Sequence, residues 1–403
     1  MKALRLLFIT RRFWPLVGSA EKAMARLAME LRGRGCEVSV LTARWEPHWP
    51  TAITVRNVPV VRLPHPPGGR WETFRYVRSM GRWLRENRER FDLVYVSGLK
   101  HEAHAALRAL RGRVPVVLRP EAAGRYGDCL WQIDTFWGRR IKRQCMKAAA
   151  LVGRNAAIER ELKAAGYPRP RIHHIPDGVR IPPLCGPVPK TAARAALAEA
   201  NTALQVPGSA PVALYIGRLQ ASRGLRYLVE AWRTVVARWP NARLWLAGEG
   251  NQREELVEQI AALNLTGRVV PVGVFDEVDE LLCAADLFVL PSPTPGTPLA
   301  LLEAMAAGLP IVAGETPGTC ELLADGQHAL LVPTNDPAAL SAAVARLIDQ
   351  PDLSKRLGTA ARELAAADFS LAKTVDAHVA LFESLIRPES KTAGPSPAMQ
   401  DHP

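Results

Sequence analysis

The 403-residue chain contains no run of eighteen apolar residues, so no segment is expected to cross a bilayer as a helix. It has no Cys-x-x-Cys pair. Cys36, Cys129, Cys145, Cys185, Cys283 and Cys320 are scattered, which suggests neither a zinc site nor a disulfide framework. The nearest thing to a histidine cluster is His173-His174, and neighbours on a strand point to opposite faces, so no metal site is expected. There is no Gly-x-Gly-x-x-Gly fingerprint with a downstream acid, which argues against a nicotinamide dehydrogenase. A Walker loop is also missing, which argues against nucleoside-triphosphate hydrolysis. No zinc finger, RNA-recognition signature or strand with alternating basic and aromatic residues appears, so nucleic acid is not an expected partner.

The start, MKALRLLFITRRFWP, lacks a small-residue cleavage site, and arginines interrupt its apolar run. It reads as a first strand rather than a signal peptide, which implies a cytoplasmic location. The balance of 48% hydrophobic and 23% charged residues is that of a soluble globular protein, and the length suits two domains. The formal charge of +13 fits an anionic partner. It is dense in RYVRSMGRWLRENRER (75–90) and WGRRIKRQCMKAAA (137–150), where Trp stands beside Arg. Two readings stay open: solvated helix faces, or docking on an anionic membrane surface.

Strand and helix patterns alternate through both halves, which predicts an α/β chain of mostly parallel, doubly wound sheets. The expected division is a first domain over 1–183, a proline-rich hinge over 184–210, and a second domain over 211–370. A helix over 371–387 is expected to return to the first domain, and 388–403 reads as a disordered tail. Two such domains leave a cleft, and ligands of open α/β sheets bind beyond the C-terminal strand ends.

The motifs fall at such ends. Gly18 precedes a helix, where a small residue lets a ligand approach free N–H groups, or simply makes a turn. In YIGRLQASRGL, Gly217 ends a strand, and Arg218 and Arg223 sit where two guanidiniums could hold a diphosphate, or could be plain surface arginines. Gly248 and Gly250 flank Glu249 at another strand end, consistent with a tight turn under a ligand. SPTPGTP then leads into a helix with Glu303 among core-like residues. Such an acid caps N–H groups or accepts ligand hydroxyls.

Together these segments resemble the retaining nucleotide-sugar glycosyltransferases of the GT-B fold, family 4 (glycosyl transferases group 1). The resemblance spans about residues 3–385. It is carried by Gly217-Arg218-Leu219 with Arg223-Gly224, by Ala285-Asp286, by Pro291-Ser292, and by Leu302-Glu303-Ala304-Met305-Ala306 through Ala313. It implies two Rossmann-like doubly wound domains facing each other across a cleft. It further implies that Gly18 and its loop face the donor diphosphate and sugar, and that Arg218 and Arg223 neutralise the leaving group. Glu303 would accept the ribose hydroxyls. The backbone of Gly296, Thr297, Pro298 and Leu299 would follow the donor sugar and phosphates, and that near Val274 would meet the base edge. Gly217 and Gly248 belong to the same donor-binding set. The implied partners are a nucleotide-diphosphate sugar and a lipid-linked or glycan acceptor, with no cofactor and no metal.

Three departures stand out. The first acid of the family's Glu-x7-Glu pair, which touches donor-sugar hydroxyls, is here Pro295. Either the donor sugar does without that contact, or Thr294 substitutes, or catalysis is impaired. Arg223 replaces a lysine. Where many members have a histidine, this chain reads RPEAAGRYGD (119–128). Glu121, Arg125 and Asp128 are then the acceptor-side candidates, while His101 and His104 read as loop or helix residues. Three functions follow: a glycosyltransferase with a lipid-linked or polysaccharide acceptor, a catalytically impaired homologue or partner subunit, or an enzyme with a small-molecule acceptor.

Overall fold

Strand β1 (Arg5–Ile9) shows why the first domain has two buried faces. Leu7 and Ile9 enter one apolar cluster and Leu6 and Phe8 another, as the two-residue repeat of a strand requires. The structure, a computed structural model, describes residues 3–16, 18–64, 70–124, 127–293 and 298–386.

Around β1 lie β2 (Glu37–Arg44), β3 (Ala52–Val55), β4 (Val58–Pro64), β5 (Leu93–Ser97), β6 (Val116–Arg119), β7 (Ala150–Gly153) and β8 (Ile172–His174). Their order is β3-β4-β2-β1-β5-β6-β7-β8, parallel except for the β3–β4 hairpin. That hairpin turns at Arg56-Asn57, both at positive φ (48° and 66°), the two-residue turn whose twist matches its strands.

One face is covered by α1 (Ser19–Gly33), whose Met24, Leu27, Ala28 and Leu31 form a helical stripe. The other is covered by α2 (Arg70–Glu86), α3 (His101–Leu110), α4 (Asp128–Asp134), α5 (Gly138–Cys145) and α6 (Ala156–Ala164).

The second domain begins with α7 (Pro187–Ala200). Its sheet holds β9 (Val212–Ile216), β10 (Arg243–Ala247), β11 (Val269–Gly273), β12 (Leu287–Leu290), β13 (Ile311–Gly314) and β14 (Leu330–Val332). The order β11-β10-β9-β12-β13-β14 is wholly parallel among the described pairs. Helices α8 (Leu225–Arg238), α9 (Arg253–Ala262), α10 (Asp279–Ala284), α11 (Leu299–Ala307), α12 (Pro317–Leu322), α13 (Pro337–Asp349) and α14 (Pro351–Asp368) surround it. The strand order reverses beside β1 in the first sheet and beside β9 in the second, which puts a crevice at each reversal.

The segment read as a hinge is largely attached to the second domain. Lys190 and Arg194 of α7 pair with Asp286 at 2.5 and 2.7 Å, and the Val212 N–H donates to the same carboxylate at 2.7 Å. The expectation of no disulfide needs correction: Cys185 and Cys283 are bonded, with Cα atoms 5.4 Å apart. They stand 98 residues apart in sequence and meet because α7 packs on α10, a contact that spacing cannot reveal.

The chain crosses back at Phe369-Ser370, where the Val179 N–H donates to the Phe369 carbonyl and Leu371 N–H to the Val179 carbonyl, both at 2.8 Å. Helix α15 (Leu371–Ile386) then buries Leu371, Val375, Leu381 and Phe382 against the first domain. No helix among the described residues is long and apolar enough to cross a membrane.

Candidate functional site

On the second domain, glycines bring loop backbones together. Gly248 follows β10 with φ +143°, and a Cβ there would lie 1.9 Å from the Gly217 carbonyl oxygen. Gly224 has φ +70°, and its Cβ would meet the Pro291 carbonyl at 2.6 Å. Side chains at these positions would separate the loops after β9, β10 and β12, so glycine is a steric requirement.

Arg218 is exposed on the loop after β9. Arg223, five residues on, is half-buried, and its Nη1 donates to Ser292 Oγ at 3.4 Å, a long bond. Burial lowers the pKa of Arg223, Tyr215 opposes that, and Arg218 adds a smaller lowering. A half-buried guanidinium with a second one five residues away is suited to an anion of two or more charges.

Glu303 lies on α11, whose Pro298 is the N-cap and whose Leu299 is buried in the core. The Glu303 side chain is 8% exposed, and Arg26 Nη2 of α1 approaches its Oε1 to 2.5 Å. Burial raises the carboxyl pKa, and Arg26 and then Lys22 oppose that shift. Val274 is exposed just beyond β11. The next carbonyl, of Phe275, accepts from Lys22 Nζ at 3.0 Å. Pro295, Gly296 and Thr297, with Thr294, lie outside the described residues, as does Arg125.

The first domain supplies the opposite wall. Gly18 caps α1 in extended conformation, and a Cβ there would sit 2.3 Å from Glu21 Oε2. The space that the glycine leaves at this helix N-terminus is thus filled by the chain's own carboxylate. Burial raises the Glu21 pKa, with Glu121 adding to the rise and Arg12 and Arg218 opposing it, which puts Glu21 beside charges of both domains.

Glu121 follows β6 and accepts from Ser97 Oγ at 2.7 Å. Asp128, an acceptor-side candidate from the sequence, is 1% exposed and is engaged by the N–H groups of Glu121 (2.7 Å) and Leu99 (3.2 Å). It holds the loops after β5 and β6 together and is closed to a ligand. His101 and His104 lie on α3, where burial depresses both, His101 to about 4. Beside them Glu102 is buried with Arg11 Nε 3.8 Å from its carboxylate.

Lys22, Arg26, Glu21 and Glu102 were missed in the sequence. A signal existed for the first two. Lys22 and Arg26 are four residues apart and off the Met24–Leu27–Leu31 stripe, so they form a basic face directly after the glycine.

Residues 20–181 match the family model described as Glycosyltransferase Family 4, and residues 210–350 match Glycosyl transferases group 1. The lipopolysaccharide core biosynthesis glycosyltransferase LpsE of Rhizobium meliloti (strain 1021) is 32% identical over 181 residues, 45% of this chain and 52% of its own length. The alpha-D-kanosaminyltransferase of Streptomyces kanamyceticus is 30% identical over 177 residues, 43% of this chain and 46% of its own. The chain thus spans about half the length of these relatives. Anabaena Alr3699/HepE, solved with UDP and glucose, superposes with TM-score 0.75 at 20% identity, covering 94% of this chain and 100% of its own. The sucrose-phosphate synthase of Thermosynechococcus elongatus gives 0.76 at 21% identity, covering 95% and 99%. With both halves matched and the two-sheet architecture shared, the chain belongs to the family 4 glycosyltransferases of the GT-B fold.

Proposed function

We propose that this chain transfers a sugar, with retention, from a nucleoside-diphosphate sugar to a lipid-linked or polysaccharide acceptor. The observation that carries the reading is that the start of α1 meets two parts of the second domain: Glu21 lies within the field of Arg218, which neighbours Arg223, and Arg26 pairs with Glu303. In this reading the two arginines hold the diphosphate and stabilise the charge that develops as it leaves. Glu303 takes the ribose hydroxyls, and the backbone around Val274 meets the base. The backbone of Pro298 and Leu299, at the start of α11, lies beside the phosphates and sugar in this reading. The departing phosphate oxygen, on the same face as the acceptor, takes the acceptor proton. These cations do what a metal would do in other phosphate sites, and no metal is assigned.

The acceptor class draws support from LpsE and from a structural neighbour, WaaG, described as involved in lipopolysaccharide biosynthesis (TM-score 0.68, 18% identity, 94% and 99% covered). A surface feature fits it. In the helical layer built from α2 to α5, Trp71, Phe74, Phe136 and Trp137 are exposed, Phe136 to 91%, beside Arg139, Arg140 and Arg143. Aromatic rings among arginines suit the interface of an anionic bilayer, which puts the protein peripherally on the cytoplasmic face in this reading.

A second reading rests on Pro295: the chain binds the nucleotide sugar without turning it over. Calorimetry with UDP-, GDP-, ADP- and TDP-sugars, with hydrolysis and transfer products read in parallel, decides. Tight binding of one sugar nucleotide with turnover supports transfer. Binding of the diphosphate alone, indifferent to the sugar and without turnover, supports the second reading. No binding of any nucleotide overturns both.

A further inference from the structure

Carboxylates that serve the architecture of this protein are densely bonded. Asp286 receives Lys190, Arg194 and the Val212 N–H. Asp177 receives Arg119 and Arg154. Glu303 is different. It is more buried than either, at 8% exposed; among the described residues Arg26 is its one ion-pair partner within 4 Å, with Lys22 acting from further off, and its Oε1 gains no well-formed hydrogen bond. Buried carboxylate oxygens without such bonds are costly and uncommon. The cation comes from the other domain, on helix α1, which packs against α11. One turn earlier on α1, Lys22 lies on the Phe275 carbonyl, beside Val274. Successive turns of one helix therefore rest on the two groups that the proposed function gives to the nucleoside: the ribose carboxylate and the base-edge backbone.

We propose that Arg26 is a specificity-determining residue of the donor site that acts as a placeholder for the ribose. Its guanidinium compensates the Glu303 carboxylate, and the hydroxyls of a bound ribonucleoside take its place. Two hydroxyl donors satisfy the carboxylate oxygens where one ion pair does not, and the displaced guanidinium turns to the cleft. A nucleotide without ribose hydroxyls has nothing to exchange for the ion pair. The contact then selects ribonucleotides by making every other ligand leave Arg26 in place. This inference rests on the donor-site reading of Glu303.

The consequence is opposite to simple charge attraction. Removing a cation beside an anionic ligand ordinarily weakens binding. Removing a competitor strengthens it.

The test is calorimetric binding at pH 8 of whichever of UDP, GDP and ADP binds the wild type best, and of its 2′,3′-dideoxy form, to the full chain. Arg26→Met is expected to tighten the ribonucleotide about tenfold and to leave the dideoxy form unchanged, with Arg26→Lys close to wild type. A merely structural Arg26 would not distinguish the two sugars. If Arg26→Met does not fold, as judged by its thermal melt, Arg26→Gln takes its place. Unchanged or weaker ribonucleotide binding in the Arg26 variant, while Glu303→Gln weakens it, overturns the placeholder and leaves the donor site standing. If Glu303→Gln has no effect on the ribonucleotide, the donor-site reading fails first and the placeholder fails with it.

Discussion

The phenol of Tyr95, on a central strand of the first sheet, lies 2.9 Å from Nε2 of His378 on the last helix, 283 residues away in sequence. His378 Nδ1 lies 2.7 Å from the Thr374 carbonyl, which can only accept. The neutral ring therefore carries its proton on Nδ1, and Tyr95 donates to Nε2. Both side chains are buried, so the closing helix is fixed through a neutral imidazole.

This pair makes the fold acid-sensitive. Burial depresses the His378 pKa to about 4, the Thr374 carbonyl opposes that, and Arg119 and Asp177 act with smaller and opposite effects. The unfolded ring titrates near 6.5, so between 6.5 and 4 the unfolded chain binds a proton that the native chain refuses. Stability from this residue is whole above about pH 6.5 and falls as the pH drops towards 4, by on the order of 3 kcal/mol. Urea unfolding at pH 7.5 and 5 is expected to show a smaller loss in His378→Gln than in the wild type. Equal losses would mean that other groups carry the acid response.

Arg223 is expected to matter more than its weak bond to Ser292 suggests. Arg223→Met should raise the dissociation constant of a nucleoside diphosphate on the order of 10- to 100-fold, the effect of losing a charge-assisted hydrogen bond. Arg223→Lys keeps the charge and should fall between the two. Calorimetry reads both. A parent nucleoside without phosphates should bind all three proteins alike.

How much of this was visible in the sequence depends on distance along the chain. The strand-helix alternation, the Gly217–Gly224 loop and the strand before Ser292 are local patterns set by periodicity, and they appear where those patterns put them. Glu303 stood out because an acid among Leu302, Ala304 and Met305 is unusual. Its partner did not, because nothing within 270 residues of Glu303 indicates that α1 will lie across α11. Cys185 and Cys283 were hidden for the same reason. Asp128 was misread in the opposite direction. A polar loop looks open to ligands in a sequence, and only the fold shows that backbone N–H groups engage this carboxylate.

Pro295 separates a retuned enzyme from an impaired one. With the wild type active, Pro295→Glu is expected to give no gain in transfer or hydrolysis, because a donor sugar that does without that acid gains nothing from it. Product formation by the two proteins, measured side by side, checks this. A clear gain would mean that the native chain is crippled at that position.

The exposed rings beside the arginines predict a membrane behaviour. The protein should sediment with vesicles rich in anionic phospholipid and be released by high salt. The double variant Phe136→Ser/Trp137→Ser should bind severalfold less while its nucleotide affinity stays unchanged. Equal sedimentation of the variant would remove these rings from the interface.

The two places where the chain passes between domains are laid side by side, joined by the hydrogen bonds of Val179 to Phe369 and Leu371. A single tether would leave the halves free to twist and slide. Two crossings bridged at Val179 and Ser370 resist independent twisting more than one crossing would. The facing of α1 and α11 is in that sense held in part by a crossing that lies apart from both helices.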